Sequence, residues 1–106
     1  GRDLDKAERM SAQTVKAEPD NATYLDTYAW IFFKKGDYSL ARLYMKNAID
    51  KSPEPSAELY EHYGDILAML GELDEAVTYW QKALDLGSES ADVLKEKIEQ
   101  KKYIEK

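Results

Sequence analysis

The sequence predicts an all-α chain assembled from a repeated helix pair, and three observations carry that prediction. The first is recurrence. Ala7, Ala41 and Ala76 stand 34 and 35 residues apart, Pro19 and Pro53 are 34 apart, and Gly36–Gly71 and Ala48–Ala83 are each 35 apart. A period in this range marks stacked repeats, each too small to bury its own apolar face. The second is helical periodicity inside each repeat. Leu25, Tyr28, Ala29 and Phe32 follow i, i+3, i+4, i+7, and Ala41, Met45, Ala48 and Ile49 follow it nearly. Tyr60, Tyr63, Gly64 and Leu67 repeat the first stripe, and Ala76, Trp80, Ala83 and Leu84 the second. The third is that no segment shows the sustained apolar–polar alternation of a half-buried strand.

Punctuation sets the element bounds. Pro19 and Pro53 stop helices, Asn21 is placed to cap one, and Gly36-Asp37 and Gly71-Glu72 read as tight turns inside a pair. Helices are predicted over 3–18, 21–35, 38–51, 56–70, 73–86 and 90–104, with loops short enough to make neighbours antiparallel. The extra residue of the second interval falls at Pro53-Glu54-Pro55, where a loop absorbs it. Small residues (Ala29, Gly64, Ala41, Ala76, Ala48, Ala83) stand where helices cross closely, and Phe32, Met45, Leu67 and Trp80 fill the space between them.

Composition removes several function classes. With 106 residues one domain is expected. A net charge of −6 argues against nucleic acid, whose phosphates call for clustered Lys and Arg. The absence of cysteine excludes disulfides, zinc–thiolate sites and thiol nucleophiles. Apolar runs such as Ala29–Phe33 are far shorter than the ~20 residues of a membrane-spanning helix, so no direct membrane insertion is expected.

On these residues the chain resembles tetratricopeptide repeat (TPR) proteins. Leu25-x₂-Tyr28-Ala29-x₂-Phe32, Ala41-x₃-Met45 and Pro53 match the family pattern, as do Tyr60-x₂-Tyr63-Gly64-x₂-Leu67 and Ala76-x₃-Trp80, with Ser88 in place of the proline. The resemblance implies a right-handed α–α superhelix of antiparallel pairs, taken as one domain over 1–106. It implies that residues 3–20 are the second helix of a truncated repeat, with Ser11 departing from the aromatic slot. By the same resemblance, full repeats are expected at 21–54 and 56–88, and a C-terminal capping helix at 90–106. A finer similarity is to the terminal repeats of bacterial multi-TPR proteins, through Leu25–Trp30, Glu61–Asp65 and Tyr79–Leu84. Some of those carry an O-linked N-acetylglucosamine transferase-like label for their repeats alone. Their settings leave cytoplasm and bacterial envelope both open.

The resemblance also places Asp26, Trp30, Phe33, Glu58, Glu61, His62, Asp65 and Met69 on the first-helix faces that line a concave binding groove. Two readings of Trp30 stand side by side: partner surface, or packing. The Lys, Arg and Asn clamp with which chaperone-binding TPRs hold a terminal carboxylate is missing, since Asp26, Trp30, Glu61 and Asp65 occupy those faces. Acidic rims around aromatic rings favour basic or basic-apolar protein and peptide segments, through charge pairing and cation–π contact. No cofactor is called for. His62 with Asp26, Glu61 and Asp65 resembles a proton-transfer set, and His62 with Glu58, Glu61 and Asp65 a metal set. A lone imidazole among carboxylates reads better as a packed, hydrogen-bonded histidine.

The stretch 95–106 holds five Lys against three Glu, interleaved, which reads as a salt-bridged cap sealing Val77, Trp80 and Leu84 with Val93, Leu94 and Ile98. Without a pairing helix, 3–18 leaves Leu4, Met10 or Val15 uncovered, so weak homodimerisation through that end is expected. The function expected is a non-catalytic interaction scaffold, the C-terminal part of a longer array. The alternatives are a self-associating segment and a regulatory appendage of an enzyme. The chain should therefore show no turnover on glycosyl, peptide or phosphate substrates; turnover abolished by His62→Ala overturns that.

Overall fold

The computed structural model describes residues 3–104; residues 1 and 2, and Glu105 and Lys106 of the expected C-terminal helix, lie outside the described residues. It contains six α-helices: α1 (Leu4–Ala17), α2 (Ala22–Lys35), α3 (Tyr38–Lys51), α4 (Ala57–Met69), α5 (Leu73–Asp85) and α6 (Ala91–Gln100). No strand occurs among the described residues. The chain divides into two compact units, Gly1–Pro53 and Glu54–Lys106.

In the first unit α2 packs against both α3 and α1. Its start is fixed by Asn21, whose side chain accepts from the Tyr24 N–H at 3.1 Å. Its end is fixed by Gly36, at φ 84°, where an L side chain would be strained. There the Asp37 N–H returns to the Phe32 carbonyl at 2.9 Å. The Asp37 carboxylate in turn caps α3 through the Leu40 N–H at 3.3 Å. Between the two helices the small stripe Ala29, Ala41 and Ala48 is fully buried together with Met45. Tyr28, Phe32 and Tyr44 close the layer as an aromatic cluster, with ring centroids 4.7–5.9 Å apart. The α1–α2 contact is fastened at its rim, where the Lys35 ammonium donates to Asp5 at 2.7 Å and Glu8 at 2.8 Å.

The second unit repeats the device 35 residues on. The Glu72 N–H returns to the Leu67 carbonyl at 2.9 Å as Gly71 turns at φ 85°. Here the close approach is between α4 and α5, and Gly64 makes it possible. A Cβ on Gly64 would stand 2.5 Å and 2.6 Å from Trp80 indole atoms and 3.1 Å from the Ala76 carbonyl. Trp80 is accordingly 0% exposed, with Ile66, Leu67, Ala76 and Ala83 equally buried around it. α6 lies on α5 and buries Leu94 and Lys97.

Predicted and observed helix ends agree within a residue, except at the C-terminus, where α6 ends at Gln100 and not at 104. Lys101 adopts φ 50° there, and the Lys102 N–H bonds the Lys97 carbonyl at 3.3 Å. A left-handed lysine carries no sequence signature of a stop. The expected cap also differs in chemistry: of Val93, Leu94 and Ile98 only Leu94 is buried, and Lys97 takes the second buried place.

Gly64→Ala should destabilise the chain by about 1–3 kcal/mol, through overpacking against the indole. Gly36→Ala should cost about 1 kcal/mol through backbone strain alone. Urea titration with unchanged m-values checks both.

Candidate protein-interaction site

The residues expected on the first-helix faces fall into three environments. Glu58 and Met69 are open to solvent. Asp26, Trp30, Glu61 and His62 are half-buried. Phe33 and Asp65 are buried, at 7% and 3% exposure. Two of those positions therefore correct the sequence reading, in which both stood on an open face.

On α2, Phe33 lies beneath Trp30, which stacks on it with centroids 4.3 Å apart and planes 7° from parallel. Tyr38 meets Phe33 edge-on, with ring centroids 5.5 Å apart. Trp30 itself carries the Lys34 ammonium 5.8 Å from its ring centre. The i, i+3 spacing of Trp30 and Phe33 makes this stack, and the i, i+4 spacing of Trp30 and Lys34 places the cation over it. The α2 face thus presents an aromatic surface that already attracts a lysine.

On α4, Ser56 caps the helix by accepting from the Leu59 N–H at 3.2 Å. The following turns bring Glu58, Glu61 and His62 to a hollow of about 500 Å³, whose other wall is the α5–α6 loop with Ser88, Glu89 and Ser90. Glu61 accepts from the Ser88 hydroxyl at 3.3 Å. His62 lies 3.9 Å from Glu58, one turn away.

Asp65, one turn beyond Glu61, points away from that hollow into the core. It accepts from the Trp80 Nε1–H at 3.0 Å and from the Lys97 ammonium at 2.8 Å. Lys97 reaches Glu61 as well, at 3.4 Å, and lies 5.8 Å from the Trp80 ring centre and 5.3 Å from that of Tyr103. Lys97 is 2% exposed. Sequence reasoning missed it because a lysine in a Lys/Glu-rich helix looks solvated. The one available signal was its place three residues after Leu94, on the face α6 turns to α5.

Burial pushes the Asp65 carboxyl up to about 6, against the lowering effect of Lys97 and the indole hydrogen bond. Its folded pKa thus exceeds its unfolded one, so the native state holds this proton more tightly. The resulting stabilisation is complete below about pH 4 and is lost as pH rises through 6, an effect on the order of 3 kcal/mol. Unfolding free energy should therefore fall between pH 4 and pH 6. Asp65→Asn should flatten that slope; an equal slope in the variant assigns it to other carboxylates.

Comparison with known proteins agrees with this architecture. The tetratricopeptide repeat family model matches residues 1–54 and 29–91. A TPR repeat-containing protein of Methanocaldococcus jannaschii is 30% identical over 84 residues, 79% of this chain and 14% of that protein. The RNA polymerase-associated protein CTR9 of Caenorhabditis elegans is 31% identical over 80 residues, 76% of this chain and 7% of that protein. The chain thus spans a small part of the length of these relatives. With the helix pairs, their spacing and the family match in agreement, the chain belongs to the tetratricopeptide repeat family, whose repeats generally mediate protein–protein interaction.

Proposed function

We propose that this chain is a non-catalytic interaction module, part of a longer repeat array, that holds basic or basic-apolar segments of a protein partner on its first-helix faces. Asp26 and Trp30, backed by Phe33, are the proposed contacts on α2; Glu58, Glu61, His62 and Met69 are those on α4, with Asp65 behind them. One observation carries the reading: the α4 carboxylates and Trp80 already hold a lysine, Lys97, by charge pairing and ring contact. A partner lysine or arginine meets the same charge pairing at the more open Glu58 and Glu61, and ring contact at Trp30, each well-placed contact worth about 0.5–2 kcal/mol. No helix among the described residues is long and apolar enough to cross a membrane.

A second surface favours the self-association alternative. Between α1 and α2 lies a groove of about 450 Å³ lined by Ala7, Met10, Ser11, Thr14, Thr27 and Ile31, among others. The Thr14 and Thr27 hydroxyls bond to carbonyls of their own helices. Concentration-dependent sedimentation, abolished by Met10→Arg, supports this second reading.

For the leading reading the test is a labelled amphipathic Lys/Leu peptide against its Glu/Leu counterpart. The basic peptide should bind, more weakly with rising salt, and the acidic one should not. Trp30→Ala should weaken that binding by roughly tenfold. It should cost less stability than Trp80→Ala, for which about 3–5 kcal/mol is expected. If Trp30→Ala destabilises as much as Trp80→Ala while affinity is unchanged, Trp30 is packing and the proposal fails.

A further inference from the structure

Lys97 is delivered to its seat by a weakly specified helix. α6 has ten residues, no side-chain hydrogen bond at its Ser90 cap, and a non-glycine left-handed residue, Lys101, at its end. Helices shorter than ~12–15 residues do not hold by themselves in water, so α6 persists through what it buries. Among the described residues of α6, Leu94 and Lys97 alone are buried. One leucine and one lysine, three residues apart, are thus its buried anchors, with Val93 and Ile98 half-buried beside them.

The lysine's seat is built for a cation. Glu61 and Asp65 on α4 offer carboxylate oxygens at 3.4 Å and 2.8 Å, and the Trp80 ring on α5 provides an electron-rich wall at 5.8 Å. The Tyr103 ring, beyond α6, adds a second wall at 5.3 Å. Trp80 also fixes the Asp65 carboxylate by its indole N–H, so the seat stays formed whichever lysine fills it.

We propose that α6 is an intramolecular occupant of a lysine-recognition site, displaced by a partner's amphipathic helix that carries a leucine and a lysine three residues apart. This rests on the basic-segment reading above and deepens it, by naming the helix pattern and the seat. The partner's lysine takes the place of Lys97 between Asp65 and Glu61, and its leucine takes the place of Leu94. Because α6 is tethered through the short loop after α5, it competes at an effective concentration in the millimolar range. The observed partner affinity is reduced by the fraction of molecules in which α6 is seated. α6 therefore sets a threshold that weak basic segments do not pass.

The test uses the full chain and a labelled peptide of its own residues 88–104 as the probe. The peptide should bind the Lys97→Ala chain about tenfold or more tighter than the native chain, since the resident helix has lost its anchor. Leu94→Ala, which loosens α6 without touching the seat, should give the same gain and keeps the test open if Lys97→Ala fails to fold. A peptide carrying Lys97→Met should lose the gain. On binding, the α6 amides of the chain should shift toward random-coil values. Equal binding of both peptides, or equal affinity for all three chains, overturns the proposal. So does a native dimer in sedimentation with exchanged α6, which makes the occupant a second copy. Retained binding of the 88–104 peptide alongside failure of the Lys/Leu peptide at Trp30 separates this proposal from the broader one.

Discussion

The second unit depends on one side chain approaching one backbone. Trp80 lies against Gly64 at a distance no Cβ tolerates, and that approach brings α4 and α5 to their separation. The indole then has a buried N–H to satisfy, and Asp65 accepts it. Asp65 in turn is a buried carboxylate that needs a cation, and Lys97 supplies it from α6. Each step is forced by the desolvation cost of the one before. A core packing choice in one helix pair thereby reaches a third helix.

A buried ion pair of this kind is poor evidence for added stability, because desolvation offsets much of the Coulomb attraction. Its value is positional. An apolar contact at Leu94 alone allows α6 to slide or rotate, whereas the Lys97 ammonium is satisfied in few arrangements. The same logic explains why two acidic residues on one face of α4 have different fates. Glu61 keeps contact with a polar hollow and the Ser88 hydroxyl, while Asp65, a turn further on, belongs to the core.

Much of this was legible in the amino-acid sequence. Alanine and glycine at a fixed interval announce close helix crossings, and the Gly36-Asp37 and Gly71-Glu72 turns mark where pairs reverse. These signals are local or periodic, so they survive without coordinates. The site was less legible. Phe33 reads as surface because it lies off the main stripe, yet it is buried in contact with the Trp30 and Tyr38 rings. The Asp65–Lys97 pair joins residues 32 apart through a third residue, and nothing in a Lys/Glu-rich helix says which lysine turns inward. The C-terminal end of α6 was missed for a related reason: Lys101 turns left-handed without glycine, proline or asparagine to mark it.

Each unit holds a single tryptophan, and the two indoles differ in their exposure to water and in their hydrogen-bond and stacking partners. Trp80 is shut away from water, with a carboxylate at its N–H. Trp30 is half-exposed and stacked on a phenylalanine. Opening of the second unit therefore brings a dry indole into water and shifts its emission to the red. Opening of the first mainly changes the ring environment of an indole that water already reaches. The chain consequently carries an intrinsic optical label on each half, by which partial melting of one is distinguishable from cooperative loss of both.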